Sequence, residues 1–283
     1  MNTVLVTGAT GNVGSEVVLA LAGKANIRAA VTDVEKAKGR LPPGTEAVRF
    51  DFEDASTFAG AFAGVDRLFL MRPPHISDPK VIAPSIEAAK AAGVKQIIFL
   101  SLQGAESNSI VPHAKIEKLL LTCGVPYTFL RPSFFMQNLT GQHRDEIRQR
   151  GEIFVPAGRG RTSFIDARDI AAVAALALTE DGHENKAYTL TGSEALTYDE
   201  VAQILTEVTG RPVRYANPNL VRFVLQKRRE GLAWGFVIVM AGIYLTAALG
   251  RADGLTDEVP RLLGRAPITV RQFVQDYRSV WLS

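Results

Sequence analysis

The sequence predicts an α/β protein: a doubly wound parallel sheet followed by a smaller, mostly helical C-terminal part. Two patterns and one motif carry that prediction. Strand-like runs alternate with helix-like segments through the first two thirds of the chain. The strand-like runs are mostly apolar, as strands covered on both faces tend to be. A glycine-punctuated turn, TGATGNVG, joins the first strand to the first helix.

The elements follow in order. TVLVT (3–7) reads as a buried strand and NVGSEVVLALAG (12–23) as a helix. IRAAVT (27–32) is the next strand, followed by a short helical VEKAKG. EAVRF (46–50), DASTFAGAFAG and DRLFLM (66–71) continue the alternation, and DPKVIAPSIEAAKAAG is a long helix stopped by Gly93. QIIFLS (96–101) is a fifth strand; SIVPHAKIEKLLL is the helix after it, with Pro112 suited to a first turn, and PYTFLR (126–131) is a sixth strand. Right-handed crossovers between such strands give a Rossmann-type sheet. Past Pro132 the order loosens: DARDIAAVAALAL (166–178) reads as a helix, AYTLTG (187–192) as a strand, TYDEVAQILTEVTG (197–210) as an amphipathic helix and PVRYA as a short strand. The expected division is a nucleotide-binding domain over 1–192, with 133–160 contributing to a substrate pocket, and a substrate-binding region over 193–283.

The 283 residues are 47% hydrophobic and 22% charged, with a net charge of +3, the balance of an ordinary folded soluble chain. No Lys/Arg stripe interleaved with aromatics points to nucleic acid. The single cysteine, Cys123, excludes an intrachain disulfide and reads as a buried, inert thiol. MNTVLVTGAT opens directly as a strand with no secretory signal, so a cytoplasmic protein is expected. Leu232 to Leu249 is a run of eighteen residues without charge. As a helix it would measure about 27 Å, marginal for a bilayer, and it reads as a helix covering a greasy pocket, with no membrane partner.

In TGATGNVG the glycines stand at 8, 11 and 14. Gly8 permits the tight turn, Gly11 lets the backbone approach a pyrophosphate, and Gly14 lets the helix pack close on the sheet. The free N–H groups of that helix N-terminus attract phosphate, which adds Thr10, Asn12 and Val13 to the expected cofactor contacts.

The Gly-x-x-Gly-x-x-Gly spacing resembles the atypical short-chain dehydrogenases/reductases, specifically their NmrA-like branch. GVPYTFLRPSFFMQNL (124–139), DARDIAAVA, GHENKAYTLTG, LTYDEVAQILTEVTGRPV and DEVPRLLGRAPITVRQFV resemble the same branch along almost the whole chain. The resemblance implies a nicotinamide coenzyme. It leaves the reaction open, because the branch holds quinone, triphenylmethane-dye and related aromatic reductases, and also regulators that bind NAD(P) and catalyse nothing.

Many NADP-binding relatives place an arginine at the end of the second strand, where this chain has Thr32, which could donate a hydrogen bond to the coenzyme. Lys36 and Lys38 could meet a 2′-phosphate or be solvated surface lysines. The reading is NADP(H), with NAD(H) as the alternative. Ligands sit at the carboxyl edge of such sheets. That nominates Asp51 and Phe52 near the adenine, Met71, Arg72 and Pro73 beside the ribose, and Ser101, Leu102 and Gln103 near the nicotinamide. Pro132 and Phe135 are expected at the cofactor, and Gln103, His113, Phe134, Phe135, Asn138 and Trp234 at a small apolar or aromatic substrate. Arg72 could instead belong to a rigid RPPH loop, and Asn138 could be a helix N-cap.

Short-chain reductases carry a catalytic Tyr-x-x-x-Lys on the helix after the fifth strand. Here Lys118 is present, but Ala114 stands in the tyrosine's place. Lys118 could still grip the ribose. His113, with an ordinary pKa near 6.5, is the best substitute acid, although it stands about 100° round the helix from 114. A quinone or cationic dye takes hydride into a delocalised system, so water can supply the proton. His75, His143 and His183 are weaker candidates, and no metal-ligand spacing is present. Two functions remain: an NAD(P)H-dependent reductase of a flat conjugated compound, or a non-catalytic NAD(P)-binding redox sensor. Monomer and homodimer both stay open.

Overall fold

The computed structural model describes residues 1–282. In chain order it contains β1 (Thr3–Thr7), α1 (Gly14–Leu21), β2 (Asn26–Val31), α2 (Val34–Ala37), β3 (Glu46–Arg49), α3 (Phe58–Phe62) and β4 (Arg67–Met71). Next come α4 (Ala83–Ala91), β5 (Gln96–Leu100), α5 (Pro112–Thr122), β6 (Tyr127–Pro132), β7 (Phe134–Phe135), α6 (Arg144–Arg150), β8 (Glu152–Ile153) and β9 (Thr162–Ile165). The chain continues with α7 (Ala167–Thr179), β10 (Lys186–Leu190), β11 (Ala195–Leu196), α8 (Tyr198–Thr209) and β12 (Arg214–Tyr215). It closes with α9 (Leu220–Arg229), α10 (Trp234–Ala248), α11 (Glu258–Leu263), α12 (Val270–Asp276) and α13 (Ser279–Leu282).

Two compact units are interleaved along the sequence: residues 1–132 with 167–190, and residues 133–166 with 191–283. The first unit holds a seven-stranded sheet in the order β10-β6-β5-β4-β1-β2-β3. Every neighbouring pair in it is parallel. The strand order reverses between β1 and β4, the switch point at which ligands of such sheets bind. β1, β4 and β5 are almost entirely buried, as parallel strands under two helical layers must be. An aromatic group fills one face: Phe50 meets Phe52 edge-on at 4.8 Å and stacks on Phe58 at 5.4 Å.

The second unit carries two small sheets, β11-β9-β7 and β12-β8. Its core gathers aromatic rings from separate segments: Phe134 lies edge-on to Phe164 at 5.5 Å, and Tyr198 lies 5.7 Å from Phe164. α8 starts with a full capping box, Thr197 and Glu200 each bonding the other's backbone N–H, and ends on left-handed Gly210. Among the described residues no helix is long and apolar enough to cross a membrane. The uncharged run 232–249 forms α10 of only fifteen residues.

Candidate active site

The turn after β1 begins the site. Gly8 takes φ +63°, a left-handed conformation that favours glycine, and its carbonyl accepts from Gly11 N–H at 2.9 Å. Gly14 sits hard against that turn: a Cβ there would stand 2.1 Å from Gly8 O and 2.6 Å from Gly8 C. The helix proper starts only at Gly14, because residues 8–13 are spent on the turn. A Cβ on Gly11 would stand a tight 3.3 Å from Gly8 O, and glycine there leaves bare backbone of the kind a pyrophosphate can approach. This cradle fits a dinucleotide.

One residue beside the loop is not marked by any local signal in the sequence. Arg40, beyond α2, donates from Nη2 to Thr10 O at 3.3 Å, so an exposed guanidinium stands beside the turn. Lys36 pairs with Asp33 at 3.5 Å and Lys38 with Glu35 at 2.6 Å, each tied to an acid three residues before it. Thr32 and Asn12 are exposed. Asp51 accepts from Glu53 N–H at 3.0 Å, which shapes the loop after β3, while Phe52 is buried in the aromatic core. Nothing in sequence links Arg40 to Thr10, thirty residues away; only the fold brings them together.

At the end of β4, Thr7 Oγ1 accepts from Met71 N–H at 2.7 Å, locking the two central strands. Arg72 Nη1 donates to the carbonyls of Pro73 and Ile76 at 2.9 and 2.6 Å, so its guanidinium braces the RPPH loop. Its Nε is buried without a partner, and burial lowers its pKa.

α5 decides the register of the site. Its buried residues are Ala114, Ile116, Glu117 and Leu120. Glu117 is only 4% exposed, and it accepts from Ser101 Oγ at 2.5 Å. Arg131 grips the same carboxylate with two bonds, Nε at 3.0 Å and Nη2 at 2.7 Å. The bidentate pair raises the pKa of Arg131 and fixes α5 to the ends of β5 and β6. One turn earlier, the His113 ring lies 6.1 Å from that of Phe99. The pair one turn apart that faces the strand ends is therefore His113 and Glu117. Ala114 faces the core, and Lys118 is exposed with no side-chain partner among the described residues. The i, i+4 relation of Glu117 to His113 was the signal available in sequence.

His113 differs from the acid expected of it. Burial, with the charge of Arg72 adding to it, pushes its pKa down to about 4. At neutral pH the ring is an uncharged imidazole, and its Nδ1 is buried with no partner. Such a ring donates a hydrogen bond but does not deliver a proton near neutrality. The same shift makes His113 a source of acid instability. The folded state prefers the neutral ring, so its contribution is full above pH 6.5 and declines as pH falls toward about 4.

The remaining expected residues are placed as follows. Gln103 N–H donates to Pro132 O at 2.9 Å, joining the loop after β5 to the end of β6 beside Leu102. In the second unit, Phe134 and Phe135 are half-buried on β7. Asn138 accepts at its backbone carbonyl from His143 N–H at 2.9 Å, and α6 begins at Arg144 with His143 at the cap position, so Asn138 does not cap it. Trp234 is 56% exposed at the start of α10. Cys123 is buried.

The NmrA-like family model matches residues 1–225. The chain belongs to the NmrA-like family. This NmrA-like protein is 36% identical to NAD(P)H azoreductase of Xenophilus azovorans, over 98% of this chain and 99% of that one. The structure of an NADPH-dependent quinone oxidoreductase of Escherichia coli, complexed with NADPH, matches at TM-score 0.86 and 29% identity, over 97% and 99% of the two chains. Citrobacter sp. triphenylmethane reductase, complexed with NADP(H), matches at TM-score 0.84 and 31% identity, over 98% and 99%.

Proposed function

We propose that this NmrA-like protein is an NADPH-dependent reductase that passes hydride to a flat, conjugated acceptor such as a quinone or an aromatic dye. The observation that carries the reading is the bare-backbone cradle at Gly8, Gly11 and Gly14, built at the sheet's switch point. The names of the similar proteins support the same class of acceptor. A cytoplasmic setting goes with it.

When bound, the coenzyme supplies the hydride; the chain's residues hold and orient. The N-terminal turn of α1 takes the pyrophosphate, and Arg40 meets the 2′-phosphate. Ser101 is held by the Glu117–Arg131 pair near the nicotinamide end. His113, as a neutral ring, offers a hydrogen bond to the acceptor where charge develops. A delocalised acceptor needs no concerted proton, so the missing tyrosine at 114 is no obstacle. The aromatic wall of the second unit, with Phe134 and Phe135, suits a flat apolar ligand. Lys118, exposed on α5 with no side-chain partner among the described residues, would grip the ribose.

The test is coenzyme consumption with a panel of quinones, azo dyes and triphenylmethane dyes. Turnover with members of the panel is expected; tight nucleotide binding with no turnover on any of them would favour the sensor. Arg40→Ala is expected to raise KM for NADPH roughly fivefold to tenfold and leave NADH nearly unchanged, the scale of one exposed charged hydrogen bond. Equal effects on both coenzymes would remove Arg40 from the phosphate. His113→Ala is expected to lower kcat about tenfold to a hundredfold. The wild-type pH profile should show no inflection near 6.5, because the ring stays neutral down to about 4; an inflection there would restore the acid role.

A further inference from the structure

α10 is unusual for a surface helix. Only five of its fifteen residues, Val237, Met240, Ala241, Tyr244 and Ala247, are buried. The others leave a broad arc with no charged side chain. Trp234 (56% exposed), Phe236 (46%), Ile238 (64%), Val239 (59%), Ile243 (46%) and Leu245 (45%) stand on it. A solvated helix ordinarily turns polar residues outward, and an arc this apolar marks a surface that meets something.

The flanks say what. Arg228 and Arg229 end α9, immediately before α10, and Arg251 follows it. The Arg228 guanidinium lies 4.8 Å from the centroid of the Trp234 ring, tying the basic end to the tryptophan. Along α9 an open groove of about 690 Å³ is lined by Leu220, Val221 and Leu225 together with Arg222 and Arg229. All three of those apolar residues are exposed. Basic groups at both ends of an uncharged helix, with a tryptophan at the boundary, match the layering of a lipid surface: anionic headgroups outside, acyl chains beneath.

We propose that the α9–α10 hairpin docks the protein on an anionic lipid surface, with α10 lying in the plane of the interface. A helix of fifteen residues measures about 22 Å and is too short to span the ~30 Å hydrocarbon core, so it lies on the bilayer. The sequence expectation of no membrane partner rested on span length, which does not bear on a helix of this kind. A second copy of the chain fits the arc less well. Helix against helix covers one stripe, and antiparallel pairing would set Arg228 and Arg229 against the copy's Arg251. A lipid layer wets the whole arc and answers the basic charge at both ends. Resting on the proposed reductase function, the same surface would give access to acceptors dissolved in the bilayer, the quinone class first.

The experiment is co-sedimentation of the full chain with vesicles of phosphatidylcholine alone and of phosphatidylcholine with phosphatidylserine, without coenzyme or acceptor. Binding and turnover can therefore fail separately. The wild type is expected to partition onto the anionic vesicles, and less so at high salt. The exposed double variant Ile238→Asp/Val239→Asp should lose about tenfold or more in partitioning, the scale of two buried aliphatic contacts replaced by charge, and keep turnover on water-soluble acceptors. Arg229→Glu should weaken the preference for anionic vesicles. No partitioning of the wild type onto either vesicle would overturn the proposal. So would a stable wild-type dimer in sedimentation that the double variant splits.

Discussion

Gly14→Ala is expected to weaken NADPH binding about tenfold or more while leaving most of the sheet intact. The added Cβ would stand 2.1 Å from the carbonyl oxygen of Gly8 and 2.6 Å from its carbon. Both are backbone atoms, so no rotamer change relieves the contact. α1 must slide away from the turn, and its first N–H groups move with it. Overpacking of this kind costs about 1–3 kcal/mol, and each ~1.4 kcal/mol that falls on binding is a factor of ten. Gly8→Ala is a milder change sterically, because its Cβ would meet only the flexible end of Met71, although φ +63° adds strain of about 1–2 kcal/mol. Gly60, with nothing within 4 Å and no positive φ, is the control: Gly60→Ala should bind coenzyme normally. Calorimetric titration of the three variants, with circular dichroism to confirm folding, checks the ranking. Normal affinity in Gly14→Ala would mean that the turn does not hold the dinucleotide.

Glu146→Gln is expected to be the most destabilising single polar change in the second unit, at about 3–5 kcal/mol. Glu146 is buried and holds a network together. His143 Nδ1 lies 2.5 Å from its Oε1, and Lys227 Nζ donates to Oε2 at 2.8 Å. On its other side, His143 Nε2 lies 2.5 Å from the Tyr244 hydroxyl. Lys227 also pairs with Glu230 at 3.0 Å, and the network joins α6 to α9 through Lys227 and to α10 through the His143–Tyr244 contact. Removing its charge leaves the Lys227 ammonium buried without its principal partner. Burial alone would raise the pKa of Glu146, but the hydrogen bonds and charges of His143 and Lys227 outweigh it and hold the pKa below the ordinary 4.5. A carboxylate depressed in this way contributes its full stability above pH 4.5 and loses it as pH falls through the lower folded value. Urea unfolding across that range should show the loss in the wild type and little further loss in Glu146→Gln. Replacing Glu146 and Lys227 together by leucine and methionine should recover much of the stability, since apolar groups often substitute for a buried pair without penalty. A wild-type stability unaffected by Glu146→Gln would refute this account of the network.

The sheet was legible in the sequence because parallel strands buried on both faces are written as continuous apolar runs, and TVLVT, RLFLM and QIIFL all formed strands within a residue of where they were read. The glycine turn was legible because its three positions each answer a local constraint. The α5 site was legible only in part. A spacing of four residues fits both Ala114–Lys118 and His113–Glu117, and only the fold shows that Glu117 is bound to Ser101 and Arg131 at the ends of β5 and β6. The state of His113 follows from burial and from Arg72, neither of which a local reading contains. Arg40 beside Thr10 and Arg131 on Glu117 are long-range meetings made by the fold. Residues 133–166 join the second unit because β7 pairs with β9 and β9 with β11, a return of chain that no linear boundary expresses.

A coenzyme held on the glycine turn is expected to give its hydride to a conjugated acceptor. NADPH carrying deuterium at the transferred position, mixed with the protein and a cationic triphenylmethane dye, tests it in one measurement. The expected product is a reduced dye holding one deuterium on its central carbon for each coenzyme oxidised. Coenzyme bound and unoxidised, with the dye unchanged in mass, would contradict it.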